Sequence, residues 1–277
     1  MTKEEAEKFY QENHTLKGKL QLDVKNKKEI MLYYCEDYYN YLYGVMPLST
    51  GIIDIYELLE YDGRFLVRYP SRKNPNELPE FKENKKLLAK LDENEDLHET
   101  LNVHTLYKLN KIIDENRIKD YILLDEALHE KKMAQIADDF VKRGKVKVVL
   151  IAGPSSSGKT TLARRLGLLL RLNRLKPVTI SVDNYFVERN QNPKDEFGNY
   201  DFECLEAIDI DLFNSHILKL LNGEEIIVPT FDFEHGTKLY KGNTMKLEDD
   251  QILVIEGIHC LNDKLTPQIP KEQKYKV

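Results

Sequence analysis

Cysteine is scarce in this chain. Cys35, Cys204 and Cys260 lie far apart with no paired spacing, which argues against a disulfide framework or a paired-ligand zinc site and fits a reducing compartment. No apolar run approaches the roughly 20 residues of a membrane-spanning helix. The opening Met1-Thr2-Lys3-Glu4-Glu5-Ala6-Glu7-Lys8 is too acidic and polar for a secretory signal, so a cytoplasmic protein with no membrane partner is expected. Excess positive charge is missing too. With 41 Lys and Arg against 47 Asp and Glu the net charge is -6, so no global field draws nucleic acid or anionic lipid, and an anionic substrate has to be held locally. No internal repeat is evident.

What is present is a fully patterned phosphate loop. Gly153-Pro154-Ser155-Ser156-Ser157-Gly158-Lys159-Thr160-Thr161 follows the apolar Val146–Ala152 and opens the helix-like Leu162-Ala163-Arg164-Arg165-Leu166. A strand, a glycine loop and a helix start leave several backbone N–H groups aimed at one point, where the helix dipole also favours negative charge. Gly153 and Gly158 let the backbone close on a phosphate without an intervening Cβ. The amides of Ser155, Ser156, Ser157 and Thr161 belong to the same cradle. Lys159 is placed to reach β/γ-phosphates, and the Thr160 hydroxyl to ligate a bridging Mg²⁺.

At 277 residues and 41% apolar composition, the chain can hold about two domains of roughly 100–200 residues each. Texture divides it into residues 1–98, an accessory α+β domain ending in a charged linker over 71–98; residues 99–145, a helical connector; and residues 146–277, the phosphate-loop domain. The linker carries Pro75 and Pro79, then Lys82-Glu83-Asn84-Lys85-Lys86 and Asp92-Glu93-Asn94-Glu95-Asp96, with little to bury. The connector has apolar residues at helical spacing, such as Leu106, Leu109, Ile112 and Ile113, then Leu124, Leu128, Met133, Ile136, Ala137 and Phe140.

Beyond the loop the pattern predicts a helix, a strand over Val178–Val182, a helix over about Leu205–Leu221, a strand over Ile226–Pro229, a Gly/Lys-rich hairpin and a strand over Ile252–Ile255. The expected fold class is α/β, a parallel sheet flanked by helices of the phosphate-loop NTPase type, preceded by the α+β domain. Ligands of such sheets sit at the carboxyl ends of the strands. Two carboxylates fall there. Asp183 follows the strand ending at Val182, where it can take the proton of an attacking hydroxyl or simply cap a loop. Glu256 ends the other strand and suits a Mg²⁺ shell or a structural bond to the loop.

Five motifs in order now resemble a family. The phosphate loop, Asp183-Asn184-Tyr185-Phe186, Tyr200-Asp201-Phe202-Glu203 with Ala207-Ile208-Asp209, Thr230-Phe231-Asp232-Phe233, and Glu256-Gly257-Ile258 are similar to those of the uridine kinase and phosphoribulokinase family over about Lys147 to Leu265. The resemblance implies ATP and Mg²⁺ as cofactors and phosphoryl transfer to the 5′-hydroxyl of a pyrimidine nucleoside. In it Asp183 is the catalytic base, with Lys159 on the nucleotide. Tyr185, Phe202, Phe231 and Phe233 fall at the aromatic nucleoside pocket, where a base offers a face to stack on. Glu203 falls near the ribose hydroxyls and His235 near the base-reading histidine, although the family places that histidine one position later and a tyrosine where Phe231 stands. A phosphoribulokinase-type sugar kinase and a non-catalytic ATP-binding or RNA-associated module are the alternatives.

The family closes an arginine-bearing lid after the Glu-Gly strand, whereas the last arginine here is Arg189. A truncated fragment of weak or no activity is therefore expected. Upstream, Cys35-Glu36-Asp37-Tyr38-Tyr39-Asn40 with Gly44-Val45-Met46-Pro47-Leu48-Ser49-Thr50-Gly51 resembles the second additional domain of threonyl-tRNA synthetases. His14, Cys35, His98, His104 and His129 lack the close spacing of paired zinc ligands. Nucleic acid enters only by analogy through this half, Arg64, Arg68, Arg72 and Lys73 read as a solvated face, and a homo-oligomer stays open.

Overall fold

The computed structural model describes residues 1–13, 16–24, 28–36, 38–40 and 44–277; His14 and Asp37 lie outside the described residues. The chain divides into two compact units, Met1–Ile122 and Leu123–Val277.

In the first unit, α1 (Lys3–Glu12) begins with a capping box in which the Glu5 N–H donates to Thr2 Oγ1 at 3.2 Å and the Thr2 N–H donates to Glu5 Oε2 at 2.7 Å. It packs on α2 (Leu16–Val24) through Ala6, Tyr10, Leu22 and Ile30. A short antiparallel pair follows, β1 (Tyr33–Cys35) and β2 (Tyr38–Asn40). The hairpin of β3 (Glu57–Tyr61) and β4 (Arg64–Arg68) turns through Asp62 and Gly63, both at positive φ (52° and 70°), the requirement of a two-residue turn that matches strand twist. Arg68 pairs with Glu57, and Arg64 pairs with Asp92 of α3 (Lys85–Thr100). Two arginines of the sequence's basic cluster are thus already neutralised. The charged stretch read as a linker is helical from Lys85 onward, capped by the Asn84 side chain. Then come α4 (Leu106–Asp114), capped by Thr105, and α5 (Ile118–Arg143), which spans the division.

The second unit holds β5 (Val148–Ile151), α6 (Lys159–Leu172), β6 (Lys176–Ser181), α7 (Ile210–Leu221), β7 (Ile226–Ile227), β8 (Thr230–Asp232), β9 (Thr237–Leu239), β10 (Thr244–Met245), β11 (Gln251–Glu256) and β12 (Lys274–Lys276). Its four-stranded sheet is wholly parallel in the order β12-β5-β11-β6. Successive side chains of a strand point to opposite faces, and two separate cores result. Val148, Leu150, Leu253 and Ile255 pack with Phe213, Ile217 and Leu220 of α7. Val149, Ile151, Ile252 and Val254 pack with Ala137 and Phe140 of α5 and with Ala163, Leu166 and Leu170 of α6. Helices on both faces explain why β5 and β11 read as continuous apolar runs.

The strand expected over Ile226–Pro229 departs from the parallel alternation: only Ile226–Ile227 is strand, and it pairs antiparallel with β10 outside the main sheet. Pro229 brings no backbone N–H to a ladder, and half-exposed Ile227 is unsuited to a sheet covered on both sides. β8 and β9 form the expected hairpin. All three cysteines are free thiols. Among the described residues no helix is long and apolar enough to cross a membrane.

Candidate active site

The loop between β5 and α6 owes its shape to two left-handed residues, Ser156 (φ 60°) and Gly158 (φ 86°). Gly158 stands at the N-cap of α6 with no side-chain cap bond, so the first-turn N–H groups keep their free donors and the positive end of the helix dipole. Gly153 is required by space: a Cβ there would lie 2.6 Å from Ser157 Oγ and 3.1 Å from Lys159 Cγ. The Ser157 N–H donates to the Pro154 carbonyl at 3.2 Å, and the Lys159 ammonium donates to the same carbonyl at 2.9 Å. The lysine head is thus folded back over the loop. Ser155, Ser156, Ser157, Thr160 and Thr161 are exposed around it.

Three strand ends meet beside this loop. Glu256 is in register with Ile151 on one side and Ser181 on the other, so β5, β11 and β6 finish together. The next residue, Gly257, donates its N–H to the Ile151 carbonyl at 3.1 Å. A Cβ at Gly257 would stand 2.6 Å from Val182 Cβ, so the β6 end approaches as closely as backbone allows. Glu256 is buried, and the Thr160 hydroxyl donates to its Oε1 at 3.3 Å.

Asp183 lies in the single 3-10 turn Val182–Tyr185 that directly follows β6, its N–H donating to Ser181 Oγ at 3.3 Å. Burial lifts its carboxyl above the usual carboxylate range, the neighbouring Glu256 charge lifts it further, and Lys159 opposes both. A carboxylate so placed has gained proton affinity, which suits a general base. Burial also raises the Cys260 thiol to about 12, which leaves it an inert core residue.

The donor set fits a small hard cation. Thr160 and Glu256 offer oxygens 3.3 Å apart beside the phosphate cradle, and Mg²⁺ is usually held by one or two carboxylates plus substrate phosphates, not by an all-protein cage. No group of three or more His, Cys, Asp or Glu side chains suited to a metal occurs among the described residues.

A cavity of about 360 Å³ opens beside Ser155 and Asp183, lined further by Phe186, Arg189, Phe202, Glu203, Phe231, Phe233, Gly236 and Ile258. Phe186, Phe231 and Phe233 form one aromatic wall, with ring centroids 5.0–5.8 Å apart. Of the residues expected from sequence, Ser155, Asp183, Phe202, Glu203, Phe231 and Phe233 come together here. Tyr185 does not. Its ring is fully buried edge-on against Phe213, and its hydroxyl lies 3.1 Å from His216 Nδ1. The tight turn after β6 sends Tyr185 into the core and its neighbour Phe186 into the cavity. His235 also stands apart from the lining: its side chain is 70% exposed, with Nδ1 2.8 Å from Asp232 Oδ2. The sequence reading missed Phe186, Arg189, Gly236 and Ile258 as lining. The adjacent Tyr-Phe pair signalled the first; nothing local signalled the others.

A phosphate loop between strand and helix, two carboxylates at neighbouring parallel strand ends and an adjoining aromatic cavity define a phosphate-loop type of α/β domain. Residues 148–270 match the model of the Phosphoribulokinase / Uridine kinase family and form a domain of that family. A uridine kinase of Schizosaccharomyces pombe is 37% identical over 43% of this chain and 26% of its own length. Those of Halobacterium salinarum and Mycoplasma genitalium are 33% and 35% identical over 41% and 45% of this chain, and 48% and 57% of theirs. The chain therefore spans about a quarter to just over half of these relatives. Among solved structures, that of a possible uridine kinase from Bacillus stearothermophilus is 24% identical with a TM-score of 0.39, covering 49% of this chain and 77% of that one.

Proposed function

We propose that the second unit transfers a phosphoryl group from ATP to the 5′-hydroxyl of a pyrimidine nucleoside. One observation carries the reading: Asp183 and the loop residue Ser155 line the same aromatic-walled cavity, so an acceptor hydroxyl bound there meets a base and a phosphate cradle together. In this reading the free amides at the start of α6 and the Lys159 ammonium hold the triphosphate. Thr160 and Glu256 would hold Mg²⁺, which supplies charge neutralisation on the phosphates when bound. Asp183 accepts the proton of the attacking hydroxyl, its raised proton affinity making that transfer easier than for an ordinary aspartate. The Phe186, Phe231 and Phe233 wall, with Phe202, takes the flat base, a contact worth about 1–3 kcal/mol per base. Glu203 accepts from the ribose hydroxyls.

Replacing Asp183 by Asn tests this. Nucleoside phosphorylation should fall by the 10²–10⁴-fold typical of a lost general base, while Mg²⁺-dependent binding of an ATP analogue is kept. Turnover equal to the parent's would refute the role. The resemblance of residues 35–51 to a threonyl-tRNA synthetase domain supports reading the first unit as an accessory domain of the α+β kind.

A further inference from the structure

Arg189 is a charged residue of the cavity to which the phosphoryl-transfer reading gives no task. It opens a short 3-10 turn, Arg189–Gln191, and is tied to the β8–β9 hairpin twice: its N–H donates to the Gly236 carbonyl at 2.9 Å, and its Nη2 donates to the Phe233 carbonyl at 2.6 Å. Gly236 is glycine for two reasons. Its φ is 71°, and a Cβ would stand 2.6 Å from Arg189 Cβ, 2.7 Å from Nε and 3.1 Å from Cζ. The hairpin has given up a side chain so that the guanidinium can lie against its backbone. No carboxylate pairs with Arg189 among the described residues. Of the five N–H donors of a guanidinium, most are left for a ligand.

The rest of the lining narrows that ligand. Arginine has no acceptor and is never deprotonated, so the group it meets must present lone pairs. An anionic acceptor substrate would be opposed by the carboxylates of Asp183 and Glu203 in the same cavity, and the wall beside Arg189 is three phenylalanine rings. A neutral flat ring with acceptors on its edge satisfies both. A guanidinium offers two parallel N–H groups in a fixed fork, and that fork fits two adjacent acceptors. Cytosine presents ring N3 and O2 side by side. Uracil carries a proton on N3, which would point at the fork.

We propose that Arg189, seated on side-chain-free Gly236, is the specificity-determining residue of this cavity and selects cytidine over uridine by a paired contact to N3 and O2. This rests on the nucleoside reading above. The test is calorimetric titration of the 277-residue chain with cytidine, uridine and 3-deazacytidine, in which C–H replaces N3. Cytidine should bind about tenfold or more tightly than either of the others, within the discrimination a bidentate arginine contact gives. R189Q should bring cytidine to the level of uridine. Equal binding of cytidine and 3-deazacytidine by the parent chain overturns the assignment with no variant needed, as does a cytidine preference that survives in R189Q. Absence of binding by every nucleoside at millimolar concentration overturns the nucleoside reading and this inference with it, whereas tight but indiscriminate binding overturns Arg189 alone.

Discussion

Replacing Gly257 by alanine should damage both stability and chemistry. The added Cβ would meet Val182 Cβ at 2.6 Å, Cγ2 at 2.8 Å and Cγ1 at 3.5 Å, against the roughly 3.5–4.0 Å at which carbon atoms attract. Two of the three contacts are therefore short by about 1 Å. Val182 cannot yield by itself: it is 1% exposed and β-branched, with little freedom at χ1. The backbone at Gly257 lies outside the left-handed region, so the cost is steric and not torsional. Overpacking of this kind costs about 1–3 kcal/mol, and the rigid neighbour places it at the upper end. For a unit of this size that is a fall in melting temperature of about 2–12 °C. The strand ends pushed apart are those bearing Glu256 and Asp183, and a displacement of about 1 Å at a reacting group can cost on the order of 10²-fold in rate. Val182→Ala removes both γ-carbons but leaves the Cβ contact, so G257A and V182A together should cost less than their sum by about 0.5–2 kcal/mol. Urea melts of the two single variants and the double variant decide it. A G257A chain within about 0.5 kcal/mol of the parent, or strict additivity with V182A, would refute the close approach of the two strand ends.

Three further outcomes are expected. Phe233→Ala, at a largely exposed ring of the cavity wall, should weaken nucleoside binding by about 1–3 kcal/mol, while His235→Ala changes it less than about twofold because that imidazole is engaged with Asp232; titration of both variants exposes an error if the order reverses. Tyr185→Phe removes a buried hydroxyl from His216 and should cost about 1 kcal/mol of stability with nucleoside affinity unchanged; weakened binding at parental stability would put Tyr185 back in the pocket. Asp183→Asn should stabilise the free protein at neutral pH. The folded-state proton affinity of Asp183 is raised, chiefly by burial, so its contribution is fully present below the unfolded aspartate value of about 3.9 and is lost as pH rises through the higher folded value. The variant lacks that loss, and melting curves from pH 3 to pH 8 should show its advantage only above that window; an advantage largest at the acid end contradicts the sign.

Which parts of this architecture could be read from residues alone follows from how local their causes are. The loop from Gly153 to Thr161 was legible because its glycines, lysine and threonine answer to constraints within nine positions, and the flanking Val148–Ile151 and Gln251–Glu256 because a strand covered on both faces needs an unbroken apolar run. Asp183 and Glu256 were legible as a pair because parallel strands deliver their carboxyl ends to one edge. Tyr185 and Phe186 were not separable. Both are aromatic and adjacent, and only the 3-10 turn after Ser181 decides which ring meets Phe213 and which meets Phe231.

Arg189 and Gly236 were less legible still. Forty-seven positions separate them in sequence, and neither makes sense without the other: the arginine needs a backbone stripped of its Cβ to lie on, and the glycine in a hairpin turn reads as ordinary turn chemistry until the guanidinium beside it is seen. A chemical feature shared between a strand-end turn and a distant hairpin has no local period or motif. The physical cost of relocating the charge does leave a trace, however. Gly236 pairs a positive φ with a blocked Cβ, so alanine there should both strain the backbone and displace the guanidinium. By contrast Gly198, at φ 84° with open space around its Cβ position, would suffer the strain alone. The two substitutions should therefore be similar in backbone cost, about 1–2 kcal/mol, and differ in stability only by the added collision at residue 236.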